Sequence, residues 1–322
     1  MTQTALDLFT AHGGRIEAAR AMFGGGDWID LSTGIAPWAY PVGEVAFDRL
    51  PEPGALLGLE QAAKAVFGVP AAREVVAVPG TDLALRLLAE LIPTRRVAVV
   101  QPGYAGHMAA WPGAIGVSID GVRHVEADLI VVANPNNPDG HTFERKMLLA
   151  VAKRTMLIVD EAFADADPRE GVTDANDECL IVLRSFGKFY GLPGLRLGFV
   201  IASRVVAAGL RAMLGDWPVS TAAISVGTAA CADDGWQAEQ RRRIGTAGGL
   251  LDTVLDDFTI VGGTGLFRFI ATPDAYRLFR HLASHAILAR PFADRQDHLR
   301  LGLPRDAAAA DRLAAALKEY QA

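Results

Sequence analysis

Between residues 96 and 202 the chain alternates five short runs of Val, Ile, Leu and Ala with longer stretches patterned as helices. The runs lie at 96–100, Leu129–Ala133, Met156–Asp160, 180–184 and 197–202. None alternates polar with apolar residues, so none has a face to give to water. A strand of that kind must be covered on both sides, which predicts a mostly parallel sheet between helices, an α/β fold. Helices are predicted at 56–67, where Gly68 and Pro70 follow, at Thr81–Leu91 before Pro93, and at 305–320. The last run ends near Ile201, and a long amphipathic pattern at 236–258 then leads into a strand, helix, strand, helix succession that suits a smaller second domain. With 322 residues, at roughly 100–200 residues per domain, we expect an N-terminal arm over 1–28, a large domain over 29–235 and a small C-terminal domain over 236–322. No internal repeat interrupts this order.

Composition closes off other classes. Hydrophobic residues make up 51% and charged residues 21% of the chain, which excludes a disordered polymer. The 31 basic and 37 acidic residues leave a net charge of -6, and no basic run could follow a phosphate backbone, so nucleic acid is not an expected partner. Cys179 and Cys231 stand far apart with no C-x-x-C, which indicates neither a disulfide framework nor a zinc site. They suit a reducing compartment. The opening residues lack a basic region followed by an apolar stretch, and no segment is long and apolar enough to span a bilayer, so a cytoplasmic location without membrane association is expected. No metal site is expected either: His281 and His285 are four residues apart, but no Glu lies between them. Gly262–Gly265 lacks the spacing of a dinucleotide loop, and Gly187-Lys188 is not followed by Ser or Thr.

The segments VVANPNNPDG, IVDEAFAD and LRSFGKFYGLPGLRLGF each follow or enclose a predicted strand. Ligands of open parallel sheets bind beyond the carboxyl ends of the strands, so the three segments belong to one crevice. Of the five lysines, Lys64, Lys146, Lys153 and Lys318 have polar, helix-like surroundings. Lys188 follows a strand and is flanked by Phe186, Phe189 and Tyr190. Partial desolvation there would lower its pKa and leave an amine able to condense with a carbonyl. A lysine that merely caps a strand end is the other reading.

Asn137 in NPNNPDG, Asp160 in VDEAF and the S-x-x-K-x(7)-R spacing of Ser185, Lys188 and Arg196 resemble the fold-type-I pyridoxal-phosphate enzymes of the aspartate aminotransferase class, over nearly the whole chain. The resemblance implies pyridoxal 5'-phosphate as cofactor. Lys188 would hold it covalently, Asp160 would pair with its ring nitrogen, Asn137 would bond its 3-hydroxyl oxygen, and Ser185 and Arg196 would bind its phosphate. Gly80, Thr81 and Asp82 would form the phosphate turn at a helix start, with the Asp82 side chain turned away or used as a cap. His107 in PGYAGH would stack on the ring.

Within that class AHGGRIEAA and WIDLSTGIAPWAYP resemble the threonine-phosphate decarboxylases of cobalamin biosynthesis, near relatives of the histidinol-phosphate aminotransferases. This implies decarboxylation of O-phospho-L-threonine to (R)-1-aminopropan-2-yl phosphate, with transamination of the histidinol-phosphate type as the alternative. His12, Gly13, Gly14 and Arg15 would bind the substrate phosphate, while Arg300 and Arg290 match substrate-binding arginines. Phe163 stands where many aminotransferases have a tyrosine whose hydroxyl bonds the 3-hydroxyl oxygen, a departure that disfavours transamination. Leu50 replaces a tyrosine that reaches the neighbouring subunit's cofactor phosphate, and Ala36 replaces a frequent Asn. A homodimer is implied. A non-enzymatic sensor module would need a DNA-binding domain, and none is expected before His12 or after Tyr320.

Overall fold

The computed structural model describes residues 3–321, which cluster into two compact units. The larger comprises residues 39–137 and 141–239, and the smaller comprises, of the described residues, 3–38, 138–140 and 240–321. The division at 239/240 falls four residues from the predicted one. The N-terminal segment does not stand apart as an arm, and with residues 29–38 it clusters with the C-terminal unit.

The larger unit is built on a seven-stranded sheet in the order Glu74–Val78, Gly198–Ala202, Leu180–Ser185, Met156–Asp160, Leu129–Ala133, Val97–Val100, Ile115–Val117. Only Gly198–Ala202 runs antiparallel to its neighbours. The five predicted runs are all present. Two strands were not foreseen: Glu74–Val78 precedes the alternating region, and Ile115–Val117 is too short and exposed to carry an apolar signature. Leu129–Ala133 and Gly198–Ala202 are wholly buried and Leu180–Ser185 is buried up to Ser185, as runs apolar on both faces require. Thr81–Leu91 and Arg204–Leu214 pack Leu85, Leu88 and Leu210 against Val76, Val99, Ile181 and Val200.

Charged groups are enclosed at both edges of this sheet. Arg73, 2% exposed, donates to the carbonyls of Ala175, Leu180 and Ile201. Burial lowers its guanidinium to about 10. At the carboxyl edge Arg184 pairs with Glu161 at 2.8 Å and with Asp165, all three buried. Desolvation works against the guanidinium charge, but Asp165 and Glu161 outweigh it and raise the pKa. Burial pushes the Glu161 carboxyl upward despite Arg184.

In the smaller unit Thr259–Thr264, Phe267–Ala271, His298–Gly302 and Arg290–Pro291 form an antiparallel sheet. Ile29–Asp30 pairs in parallel with Ile287–Leu288. Helices Ala275–Ser284 and Ala307–Gln321 belong to this unit, and the foreseen 236–258 helix is Asp234–Val254. Two strands, not one, precede Ala275–Ser284, because Gly265-Leu266 turns the chain into a hairpin. Among the described residues no helix is long and apolar enough to cross a membrane.

Removing one member of a buried ion network leaves its partners desolvated and unpaired, at a cost of about 3–5 kcal/mol. Arg184→Met should therefore lower unfolding stability by that order in urea at pH 7.5. Protonation relieves the stranded Glu161, whose carboxyl burial pushes upward, so the deficit should narrow as the pH falls toward 5. A deficit that is absent, or that widens on acidification, would contradict the pairing.

Candidate active site

Six of the seven strands are parallel, so their carboxyl ends share one edge, and the antiparallel Gly198–Ala202 begins there: Gly198 is paired with Ser185 and with Val78. This topology collects residues scattered through the sequence. Asp160 and Ser185 end their strands, Asn137 follows Leu129–Ala133, Gly80 and Thr81 follow Glu74–Val78, and Tyr104 follows Val97–Val100. Lys188 sits in the single turn Phe186–Phe189, and Arg196 lies two residues before Gly198. All of them, with Asp82, Ala162 and Phe163, line one cavity of about 200 Å³.

At one end lies Asp160, 6% exposed. Its Oδ1 accepts from the Ala162 backbone N–H at 3.1 Å, and its Oδ2 is 3.0 Å from His107 Nε2. Lys188 Nζ lies 5.6 Å from the centre of the Phe163 ring. Its turn is backed by an aromatic column: Phe186 stacks on Tyr190 at 4.2 Å, and Tyr190 on Trp236 at 5.7 Å.

At the other end helix Thr81–Leu91 starts without a side-chain cap, so its first N–H groups are open to an anion. Gly80 has φ +93°, and a Cβ there would meet Arg196 Nη2 at 2.4 Å. The guanidinium thus occupies space that only glycine leaves. Arg196 itself adopts a left-handed φ of 52°, costing about 1–2 kcal/mol for an L residue, and its Nη1 donates to Pro193 O at 3.2 Å. A buried acceptor carboxylate, a primary amine and an anion cradle are what a phosphorylated pyridine aldehyde requires. The residues present fit that group.

Residues 47–317 match the family described as Aminotransferase class I and II. The chain belongs to that family. The threonine-phosphate decarboxylases of Pseudomonas aeruginosa and of a Sinorhizobium species are each 40% identical to this aminotransferase-family chain, covering 96% of it and 98% of the relative. The solved histidinol-phosphate aminotransferase of Sinorhizobium meliloti in complex with pyridoxal-5'-phosphate superimposes with a TM-score of 0.80, covering 99% of this chain and 96% of that one. At 21% identity that likeness concerns the fold alone.

In this family member His107 departs from the sequence-based expectation. It is absent from the cavity wall, 1% exposed, with its imidazole behind Asp160 and its ring edge-on to Tyr104 at 5.4 Å. Tyr104 lies on the wall, as does Phe163. The signal was available: Tyr104 is still in the loop after Val100, whereas His107 is already inside helix Ala105–Ala110. The Asp82 carboxylate reaches toward Tyr104 and Arg86.

The remaining predicted residues, His12, Gly13, Gly14, Arg15, Arg290 and Arg300, are in the smaller unit. The Gly14 N–H donates to Ser32 Oγ at 2.7 Å, and Ser32 in turn donates to Asp30. That N–H is engaged within the protein, while the His12 and Arg15 side chains are exposed. Arg290 closes the end of helix Gln3–Ala11, donating to Phe9 O at 2.6 Å and Ala11 O at 2.9 Å. Its partner across the strand pair, Arg300, donates to Ser32 O at 3.1 Å and lies over the Phe267 ring. Burial, then the charge of Arg290, lowers the Arg300 guanidinium to about 9.

Gly80→Ala should displace Arg196 and strain the turn. Equilibrium binding should show at least a tenfold loss of affinity for pyridoxal phosphate and a much smaller loss for pyridoxal, which has no phosphate. Equal losses for the two would detach Gly80 and Arg196 from the anion cradle.

Proposed function

We propose that this chain is a pyridoxal-phosphate-dependent carboxy-lyase that converts O-phospho-L-threonine to (R)-1-aminopropan-2-yl phosphate, a step of cobalamin biosynthesis. The observation that carries this reading is the 40% identity, over nearly the full length of both partners, to two threonine-phosphate decarboxylases. Histidinol-phosphate aminotransferases of Mycobacterium, by contrast, match at 35% over only 49% of the chain. Phe163 on the cavity wall gives further support, since it cannot supply the hydroxyl that many aminotransferases place there.

When bound, the cofactor accepts the electron pair released by the departing carboxylate. Asp160 keeps a proton on the ring nitrogen, and His107 holds that carboxylate by its Oδ2. Asn137 bonds the 3-hydroxyl oxygen. Ser185, Arg196 and the N–H groups at Gly80 and Thr81 hold the phosphate. Lys188 supplies the amine that binds the cofactor and returns a proton from Nζ to the substrate's Cα. Arg300 takes a substrate anion, for its buried guanidinium gains most from a negative ligand. We assign weaker anion contacts to Arg290, His12, Gly13, Gly14 and Arg15.

We further infer a homodimer in the cytoplasm. Val42, Phe47, Leu50, Leu57 and Trp217 are large apolar side chains left exposed on the larger unit, as on a surface that meets a second copy. The exposed free thiol of Cys179 suits a reducing compartment.

The enzyme should release carbon dioxide from O-phospho-L-threonine and should not form glutamate from histidinol phosphate and 2-oxoglutarate; the reverse result would move it to the aminotransferases. Asp160→Asn should retain cofactor yet lose at least about a thousandfold in turnover, if several kcal/mol of carbanion stabilisation depend on that carboxylate. Near-normal turnover would remove Asp160 from the mechanism.

Protonated Arg300 binds the anion and the neutral form does not, so kcat/KM should be insensitive to this group below about pH 8. It should fall roughly tenfold per pH unit above about 9, and Arg300→Lys should move that limb. A limb unchanged in the variant would exclude Arg300.

A further inference from the structure

We propose that Asp82 is a positioning residue that fixes the Tyr104 ring through its hydroxyl, a role that rests on the cofactor reading above and deepens it. The problem it answers is electrostatic. Asp82 stands two residues after Gly80, in the first turn of the helix assigned to the cofactor phosphate. A carboxylate there gains a little from the helix dipole but repels the phosphate, so charge alone gives no reason for it.

Its two oxygens have separate tasks. Oδ1 accepts from the Tyr104 hydroxyl at 3.0 Å, and Oδ2 faces Arg86 Nε and Nη2, both at 3.4 Å, one turn further along the helix. Arg86, about half exposed, anchors the carboxylate from the solvent side. The space for this pair exists only because position 106 is glycine. A Cβ on Gly106 would lie 2.2 Å from Tyr104 Cε1 and 2.9 Å from Asp82 Oδ1.

Tyr104 is thereby held at three points. Its backbone caps helix Ala105–Ala110, its ring edge meets His107, and its hydroxyl is bound to Asp82. His107 continues the series to Asp160. Arg86, Asp82, Tyr104, His107 and Asp160 therefore form one run of contacts from the helix surface to the carboxylate assigned to the ring nitrogen. Burial and the Asp82 charge raise the Tyr104 phenol above its ordinary range, which keeps the donor protonated throughout the working pH range. The ring on the cavity wall is aimed by a carboxylate whose two oxygens are taken by Tyr104 and Arg86.

The test is a double-mutant cycle on the holoenzyme with Asp82→Ala, Asp82→Asn, Tyr104→Phe and the two double variants. It is read by the circular dichroism of the bound cofactor and by the rate of cofactor release. A hydrogen bond to a charged acceptor is worth about a decade or more. Asp82→Ala and Tyr104→Phe should each weaken the dichroic band and speed release about tenfold, and the double variant should be no worse than either single one. Asp82→Asn, whose amide oxygen still accepts from the phenol, should restore much of the band. Additive effects, or slower cofactor release in Asp82→Ala and Asp82→Asn because a charge beside the phosphate is gone, would overturn the proposal. Should Asp82→Ala fail to fold, the Asp82→Asn and Tyr104→Phe cycle decides by the same criterion. A wild-type chain with no bound-cofactor band overturns the cofactor reading and this inference with it, an outcome distinct from a band that the variants leave unchanged.

Discussion

Arg184 holds together the two strand ends on which the cavity is built. Successive side chains of a strand point to opposite faces. Asp160 and Ser185 therefore face the cavity while their chain neighbours Glu161 and Arg184 face the other way and meet at 2.8 Å. Neither charge could remain buried alone, so each requires the other and Asp165 in place. Because the ion contact is adjacent in sequence to the cavity residues, its geometry is transmitted to them through a single peptide unit. Glu161 Oε1 also accepts from the Val172 N–H, which extends the constraint into the loop between the two strands.

At the opposite edge Arg73 serves a comparable purpose with no carboxylate in direct contact among the described residues, binding the backbone carbonyls of Ala175, Leu180 and Ile201. The two arginines differ in consequence. Burial lowers the pKa of Arg73, whereas that of Arg184 rises because two anions outweigh its desolvation. The excess negative charge around Arg184 has its own effect on Cys231: burial, and then Asp165, push its thiol to about 12. That cysteine is inert toward oxidants that require a thiolate.

The cavity residues with a fixed spacing in sequence were legible through the resemblance of that spacing to the aminotransferase class, and the strand geometry shows why the spacing is fixed. Ser185, Lys188 and Arg196 are separated by one turn and one return loop, and the antiparallel strand that follows brings Arg196 back to the edge where Ser185 ends. Tyr104 and His107 show the limit. Both are aromatic rings in one short motif, and choosing between them depends on whether the residue precedes or follows the first helical turn. Residues 29–38 cluster with the C-terminal unit for a related reason: Ile29–Asp30 pairs with Ile287–Leu288, a contact across most of the chain that a two-residue strand does not advertise.

The sequence by itself determined the α/β class, the order of the buried strands and the residue types that gather at their carboxyl ends. Those features follow from local periodicity and from the rule that apolar runs must be covered. Tertiary structure alone decided that Asp82 serves Tyr104 and that Glu161, Asp165 and Arg184 enclose one another. It also decided that Arg290 caps a helix whose last residue lies 279 positions earlier in the chain. Each of these depends on contacts between segments far apart in sequence, where desolvation and shape select partners and local propensity carries no information.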